Sequence, residues 1–463
     1  MPPSRLLLLA ALCLGLAHLL VLPPWQGEDE PWHVEVATLV ARGHDPFGVD
    51  DLLADQVHEA EARGELSLVM VGRRFDDVPK EELAGLQAEI LDSMRAHAFP
   101  RRVDWSGELT GARTFDAVAR GFSAVHQPPT HYLVVGGLAR LLGRTDPIGV
   151  LWIGRAVALG AYLAVVALGL WAARRLGLSP GACLLTGAVL ALWPTHARHA
   201  AVANNDVAAK LAASLVLALA ADVLARRREG RPVGLPLALA GLGALGASLA
   251  KSTGLPASAT ALLVVVLALR RGRAGVPLPA PPRPALWVAA AALATAVLGL
   301  HSVGHAPVLP GTWTGVVDRL ARAADPGFWS HLATTFVGSF NWESRLLEPA
   351  LVATALVAWA AAAVLGWRAL GRASSVVPGA RALALAPLVL QVAAVAFRGA
   401  SAGRYLLPAL LSFALLAGAA VDGVEDDRVR RRRLASGLLL LVALSGWVLW
   451  RGLLWNQYGR LGA

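Results

Sequence analysis

Charge is scarce in this 463-residue chain: 16% of its residues are Asp, Glu, Lys or Arg, against 56% hydrophobic, and the mean hydropathy is +0.54. That balance excludes a soluble multidomain enzyme. Cysteine is nearly absent as well. Cys13 and Cys183 both fall inside apolar runs with no ligand spacing, which excludes a disulfide framework and a zinc site. No repeat of fixed period and no low-complexity linker interrupts the chain, so 1–463 reads as one integral membrane unit. The formal charge of +10 raises the question of nucleic acid, and the distribution of that charge answers it below.

Apolar runs are abundant. Several windows of 17 to 22 residues carry no charge, the length needed to cross about 30 Å of hydrocarbon. The spacing predicts spans near 5–22, 148–172, 180–198, 207–224, 234–250, 255–269, 285–303, 349–367, 382–397, 405–421 and 434–450. The expected fold is therefore an all-α polytopic membrane protein of about 11 transmembrane helices, with a transmembrane bundle over 148–450. The first run lacks a small-residue cleavage site before Pro23-Pro24, so it is expected to stay as an anchor rather than leave as a signal peptide. Arginines cluster at 174–175, 226–228, 270–273, 368 and 372, and 428–433, after every second span, as the positive-inside rule requires of cytoplasmic loops. The N-terminus is then cytoplasmic and the segment 23–147 extracytoplasmic. That segment holds 21 acidic against 12 basic residues, so the basic excess belongs to the inner membrane surface and a nucleic-acid role loses its support. Inside it, 30–42 and 79–97 have helical apolar spacing, each introduced by a proline. The stretch 126–144 is too punctuated to span and is expected to lie on the outer leaflet as an interfacial helix.

In an apolar bundle the informative residues are those that are costly near lipid. The outer side collects a set of them. WQGEDEPWH at 25–33 places Glu28, Asp29 and Glu30 just beyond the first span, followed by His33. AVANNDVAAK at 201–210 supplies Asn204, Asn205 and Asp206, SLAKSTG at 248–254 supplies Lys251, and FRGASAGRY at 397–405 supplies Arg398, Arg404 and Tyr405. Each has a bland alternative. The carboxylates of 28–30 suit a helix N-terminus, Asn204 and Asn205 suit an N-cap, and Lys251 and Arg404 suit snorkelling anchors. His33, His126 and His131 suit interfacial hydrogen bonding, and the 15 Trp suit an aromatic belt. Against those alternatives stands convergence on one side of complementary chemistry. A positioned carboxylate can take a proton from an attacking hydroxyl, and Lys and Arg can hold a phosphate and stabilise it as it leaves.

At these residues the sequence resembles the GT-C glycosyltransferases, polytopic enzymes that take a sugar from a polyprenyl-phosphate donor. The superfamily includes protein O-mannosyltransferases and the transferases that put aminoarabinose on lipid A, and the resemblance is closest to a bacterial branch. It is carried by PPWQGEDEPWH, HQPPTHYL, VANNDVAAKLAASL, LAKSTGLP and SAGRYLLP, in order, from residue 1 to about 420. The resemblance implies an inverting sugar transfer to an acceptor hydroxyl or amine, on the extracytoplasmic face of a bacterial cytoplasmic membrane. It implies Asp29 as the acceptor-activating carboxylate with Glu30 beside it, Asp206 as a second acid, and Lys251 and Arg404 on the donor phosphate. Glu28, His33, His126, His131, Asn205, Arg398 and Tyr405 would line the site. A divalent ion, Mg or Mn, held by Asp29, Glu30 and Asp206 is an open expectation. Glu28 ahead of the DE pair and His33 in place of a common Tyr depart from the pattern, so which of the three acids is the base stays open. No large soluble domain is expected after the last span, and sequon recognition is not expected. A transporter or flippase for a lipid-linked sugar, and an O-antigen ligase or polymerase, are the competing functions.

Overall fold

The computed structural model describes residues 3–45, 77–97, 127–270, 323–340, 349–398, 402–422 and 426–450, with a few isolated positions between them. Apart from one antiparallel pair of two-residue strands, Ser339–Phe340 with Arg345–Leu346, the described structure is helical. The segment after the first span builds three helices close to those expected: α2 (Glu30–Arg42), α3 (Lys80–Ala96) and α4 (Thr130–Leu141). Around α1 (Pro3–Val21) and these three stand α5 (Pro147–Arg175), α6 (Pro180–Leu192), the short α7 (Pro194–Arg198), α8 (Asp206–Arg228), α9 (Gly234–Ala250) and α10 (Leu255–Arg270). They are followed by α11 (Pro326–Val337), α12 (Pro349–Arg372), α13 (Ala380–Arg398), α14 (Leu410–Ala419) and α15 (Asp427–Trp447).

Among the described residues, five helices are long and apolar enough to cross a membrane: Pro3–Val21, Pro147–Arg175, Asp206–Arg228, Ala350–Arg372 and Asp427–Trp450. Five more of the expected spans are apolar helices of shorter reach, and the one at 285–303 lies outside the described residues. The shortening has local causes. The run 180–198 breaks where Trp193 takes an extended conformation and Pro194 starts α7. The run 405–421 opens as a tight 3-10 turn, Gly403–Ala409, before α14 begins. The run 234–250, by contrast, is helical over its whole expected length and ends at Lys251, whose backbone is extended.

Position in the bundle follows composition. The apolar stretch of α8 is 78% buried, against 17% for α1 and 22% for α12 and α15, so α8 is the central column and packs on α5, α9 and α10. One apolar core runs through the bundle, where the Trp193 ring meets those of Phe336, Trp359 and Phe413. A second core, built on Trp25, Leu39, Leu86, Met94, Tyr132 and Leu151, ties α2, α3 and α4 to the start of α5. The crossing of α2 and α4 requires Gly136, because a Cβ there would stand 2.6 Å from the Ala37 carbonyl oxygen.

A polar clasp joins the end of α2 to the start of α3. His44 bonds Asp77 through Nδ1 at 3.0 Å and Glu82 through Nε2 at 3.1 Å. Partial burial lowers the His44 pKa, but the two carboxylates outweigh it and the net shift is upward. A raised folded-state pKa gives stability that is complete below the unfolded value, about 6.5, and is lost as pH rises through the folded value. His44→Gln is therefore expected to lower the thermal unfolding temperature at about pH 5.5 and to have little effect at about pH 9. A loss of equal size at both would contradict the clasp.

Candidate functional site

The three consecutive carboxylates of WQGEDEPWH go to three different arginines. Among the described residues, Trp25 and Asp29 are the non-glycine positions with left-handed backbone, at φ 69° and 61°. Such a conformation is uncommon outside glycine, though Asp tolerates it better than most, and non-glycine cases cluster at functional sites. Trp25 is anchored by its indole N–H, which donates to Ser93 Oγ at 3.1 Å. The consequence is a turn in which Glu28 pairs with Arg198, Asp29 with Arg404 at 2.8 Å, and Glu30 with Arg155 at 2.8 Å.

Glu30 and Arg155 are both fully buried. The guanidinium meets the carboxylate as a fork, Nε to Oε1 and Nη2 to Oε2, each at 2.8 Å. The backbone N–H groups of Gly27 and Ala203 donate to the same carboxylate. Arg155 uses two of its three remaining N–H groups on the carbonyls of Leu22 and Pro23. Glu30 is thereby committed to holding the turn, and Glu28 is 2% exposed against Arg198. Asp29, with its side chain 23% exposed, is the acid of the three that reaches the surface of the site. It stands at the N-cap of α2 without making a cap hydrogen bond, so capping does not account for it.

Asp29, Arg404, Asp206 and Lys251 form one chain of charges. Arg404 Nη2 donates to Asp29 Oδ2 at 2.8 Å, Arg404 Nε lies 3.6 Å from Asp206 Oδ2, and Lys251 Nζ lies 2.7 Å from Asp206 Oδ1. Tyr405 backs the cations, with Lys251 Nζ 5.4 Å and the Arg404 guanidinium 5.3 Å from its ring centre. Asp206 opens α8, Lys251 follows α9, and Arg404 sits on the Gly403–Ala409 turn. That turn is fixed where Gly403 N–H donates to Thr335 Oγ1 at 2.7 Å. Any Cβ at 403 would strike the Phe336 backbone. Gln391 completes the frame by donating to the carbonyls of Thr253 and Tyr405. Neither snorkelling nor capping describes these residues: Lys251 is buried in an ion pair, and Asn205, at the N-cap of α8, makes no cap bond and donates to Gln127 instead.

His33 and His131 border the cluster. His33 Nδ1 shares a 2.8 Å hydrogen bond with the Tyr132 hydroxyl, and the two imidazole rings are 6.2 Å apart. Burial, reinforced by the Lys251 charge, holds the His33 pKa well below its ordinary value and that of His131 at about 4. Both rings are therefore neutral at physiological pH. His126 lies outside the described residues, as does the side chain of Arg398. Of the acids expected to hold a divalent ion, Asp29 and Asp206 face Arg404 and Lys251, and Glu30 faces Arg155.

An apolar groove of about 550 Å³ is lined by none of the four side chains Asp29, Arg404, Asp206 and Lys251 but by sequence neighbours of two of them. His131, Val207 and Ala250 line its head, the last two adjoining Asp206 and Lys251 in sequence, and it continues between α8 and α9 to Leu219 and Leu239. From Val207 to Leu219 it follows α8 for about 18 Å at 1.5 Å per residue. Its lips, Val134, Leu215, Leu239 and Leu242, are exposed on the perimeter of the bundle. No protein-family model matches the chain, and no curated protein matches it either.

Arg155, Arg198 and Lys210 are missing from the set expected from sequence, although each is a charge within an apolar run and so demands a partner. Removing one member of the buried Glu30–Arg155 pair strands the other. Glu30→Ala and Arg155→Met are each expected to cost about 3–5 kcal/mol of stability, with the double substitution costing less than the sum. Thermal unfolding of purified protein in detergent measures this, and single variants as stable as the parent chain would contradict it.

Proposed function

We propose that this chain is a membrane glycosyltransferase that moves a sugar from a polyprenyl-phosphate donor to an acceptor hydroxyl or amine. What supports the proposal is an apolar groove lined by Val207 and Ala250, the sequence neighbours of Asp206 and Lys251, together with a cluster of two acids and two phosphate-suited cations. An amphiphile with a long apolar tail and a phosphate head matches that sequence of surfaces. Free sugar nucleotides, which have no tail, leave the groove without a purpose. The GT-C resemblance, with its GT-C-like fold of about 11 spans and a site on the extracytoplasmic face of a bacterial cytoplasmic membrane, belongs to the same proposal.

The chemistry follows from the charges. The acceptor oxygen or nitrogen attacks the anomeric carbon from the face opposite the phosphate, so configuration inverts. The bond from that carbon to the phosphate oxygen breaks, and the phosphate leaves with the electron pair. Asp29 takes the acceptor proton. It is the most accessible of Glu28, Asp29, Glu30 and Asp206, and its partner Arg404 is also one of the two cations suited to a phosphate. A donor phosphate that draws Arg404 toward itself frees Asp29 to act as base at the moment the donor is bound. Asp206 holds Lys251 and Arg404 at hydrogen-bonding or near-contact distance, so it positions both cations. No step here is routed through a divalent ion.

Full-length protein in lipid nanodiscs, assayed for sugar transfer from polyprenyl-phosphate donors, tests this. Asp29→Asn is expected to lower kcat by roughly 10²-fold or more, the usual range for loss of a general base. Lys251→Ala is expected to raise KM for the donor as well. Full activity in both variants, or lipid movement without cleavage of the donor, would overturn the proposal. The groove has its own test. Gly246 lines it, and a Cβ there meets open space, so Gly246→Phe is expected to fill the groove and raise donor KM at least about tenfold while the unfolding temperature holds. An unchanged KM would remove the groove from the account.

A further inference from the structure

Another cavity lies at the opposite end of the bundle. From Arg155 to Arg174, α5 rises about 28 Å at about 1.5 Å per residue, away from the charge cluster and toward the end where Arg226 and the start of α15 also lie. There a cavity of about 310 Å³ opens between the start of α1, the end of α5 and the start of α6. Leu170, Leu178, Cys183 and Leu184 give it an apolar lining, and Ser4 and Arg174 add polar groups. Leu170, Leu178 and Cys183 are buried, Ser4 and Leu184 are half-buried, and Arg174 is exposed. The cavity thus has an apolar floor and a charged rim, beside a helix, α1, whose apolar stretch is only 17% buried.

The arginines at this end are not equivalent. Arg175 holds Asp222 at 2.6 Å and Glu229 at 3.0 Å, and Arg226 holds the other Asp222 oxygen at 2.6 Å. Arg228 donates to the carbonyls of Ser374 and Ser375, and Arg433 to that of Ala420. Arg174, next to Arg175 in sequence, makes no hydrogen bond or ion pair among the described residues, and neither does the exposed Arg5 beside Ser4. The neighbouring acid, Asp422, accepts from the N–H and the hydroxyl of Ser179 and does not line the cavity. The Cys183 thiol is committed as well, to the Leu178 carbonyl at 3.5 Å. Arg174 is therefore the charge that the cavity presents. An unpaired guanidinium above an apolar floor suits a ligand that joins a phosphate anion to hydrocarbon, and basic pockets between membrane helices are recurrent sites for anionic lipid headgroups. We propose that this cavity binds an anionic phospholipid, with the headgroup phosphate against Arg174 and Ser4 and the start of an acyl chain over Leu170 and Leu184. The volume is at the lower end of the range for small-ligand sites, about 300–1,000 Å³, so the rest of the chain lies outside on the perimeter. This site is separate from the donor site proposed above and does not depend on it.

Equilibrium binding of phosphatidylglycerol and phosphatidylethanolamine to the full chain in detergent, counted by native mass spectrometry, tests this. The parent chain is expected to bind one phosphatidylglycerol more tightly than phosphatidylethanolamine by at least about fivefold, the contribution of one cation near a membrane surface. Arg174→Gln is expected to abolish that preference and Arg174→Lys to keep most of it. Ser4→Trp, which fills the cavity and leaves the charge, is expected to weaken binding of both lipids. Arg432→Gln removes an exposed arginine that does not line the cavity and is expected to leave the preference unchanged. A parent chain that binds the two lipids alike overturns the proposal. So does a preference that survives Arg174→Gln or falls equally in Arg432→Gln, and so does unchanged binding in Ser4→Trp. Without added lipid, Arg174→Gln is expected to unfold at the temperature of the parent chain, and a markedly earlier unfolding would make Arg174 a structural residue and overturn the proposal too.

Discussion

The buried fork between Glu30 and Arg155 is the interaction on which the rest of this end of the molecule depends. It joins the start of α2 to the middle of α5 and draws in the carbonyls of Leu22 and Pro23 and the N–H groups of Gly27 and Ala203. One ion pair thereby sets where the chain leaves α1, where α2 begins, and how the loop before α8 approaches. Two charges in so dry a place are tolerable because nearly every donor and acceptor between them is used. With that turn fixed, the left-handed backbone at Asp29 puts a single carboxylate within reach of Arg404.

The pairing logic also divides labour among residues that look alike. Glu28, Asp29 and Glu30 are neighbours of the same charge, yet two are consumed in the interior and one is presented. Arg404 stands between Asp29 and Asp206, so any anion that attracts it alters the bonding of both acids. Lys251 lies closer to Asp206, at 2.7 Å, than Arg404 does, at 3.6 Å. Under the proposed function, a site built this way would respond to a phosphate by redistributing partners, without requiring a helix to move.

Much of this was legible in the sequence. The helices at 30–42 and 79–97 follow from apolar spacing and a leading proline, and the gathering of Asp29, Asp206, Lys251 and Arg404 follows from charges placed at the ends of apolar runs. Other features were not legible. Nothing in WQGEDEPWH distinguishes Asp29 from its neighbours until the arginines that claim Glu28 and Glu30 are known, and those lie more than 120 residues away. Helix reach was overestimated where Trp193-Pro194 and the 403–409 turn end or delay an α-helix inside an apolar run, because hydropathy measures composition and not backbone geometry. Arg155 and Lys210 were readable as charges within spans, and the rule that such charges need partners would have singled them out.

The central claim is that the groove and the charge cluster are one site for one amphiphile. A structure of the full chain in nanodiscs with undecaprenyl phosphate bound tests this most directly. The account predicts the isoprenoid tail between α8 and α9 alongside Gly246, the phosphate against Lys251 and Arg404, and the Asp29–Arg404 hydrogen bond opened. Lipid bound elsewhere on the perimeter, with the groove empty and Asp29 still paired to Arg404, would contradict it.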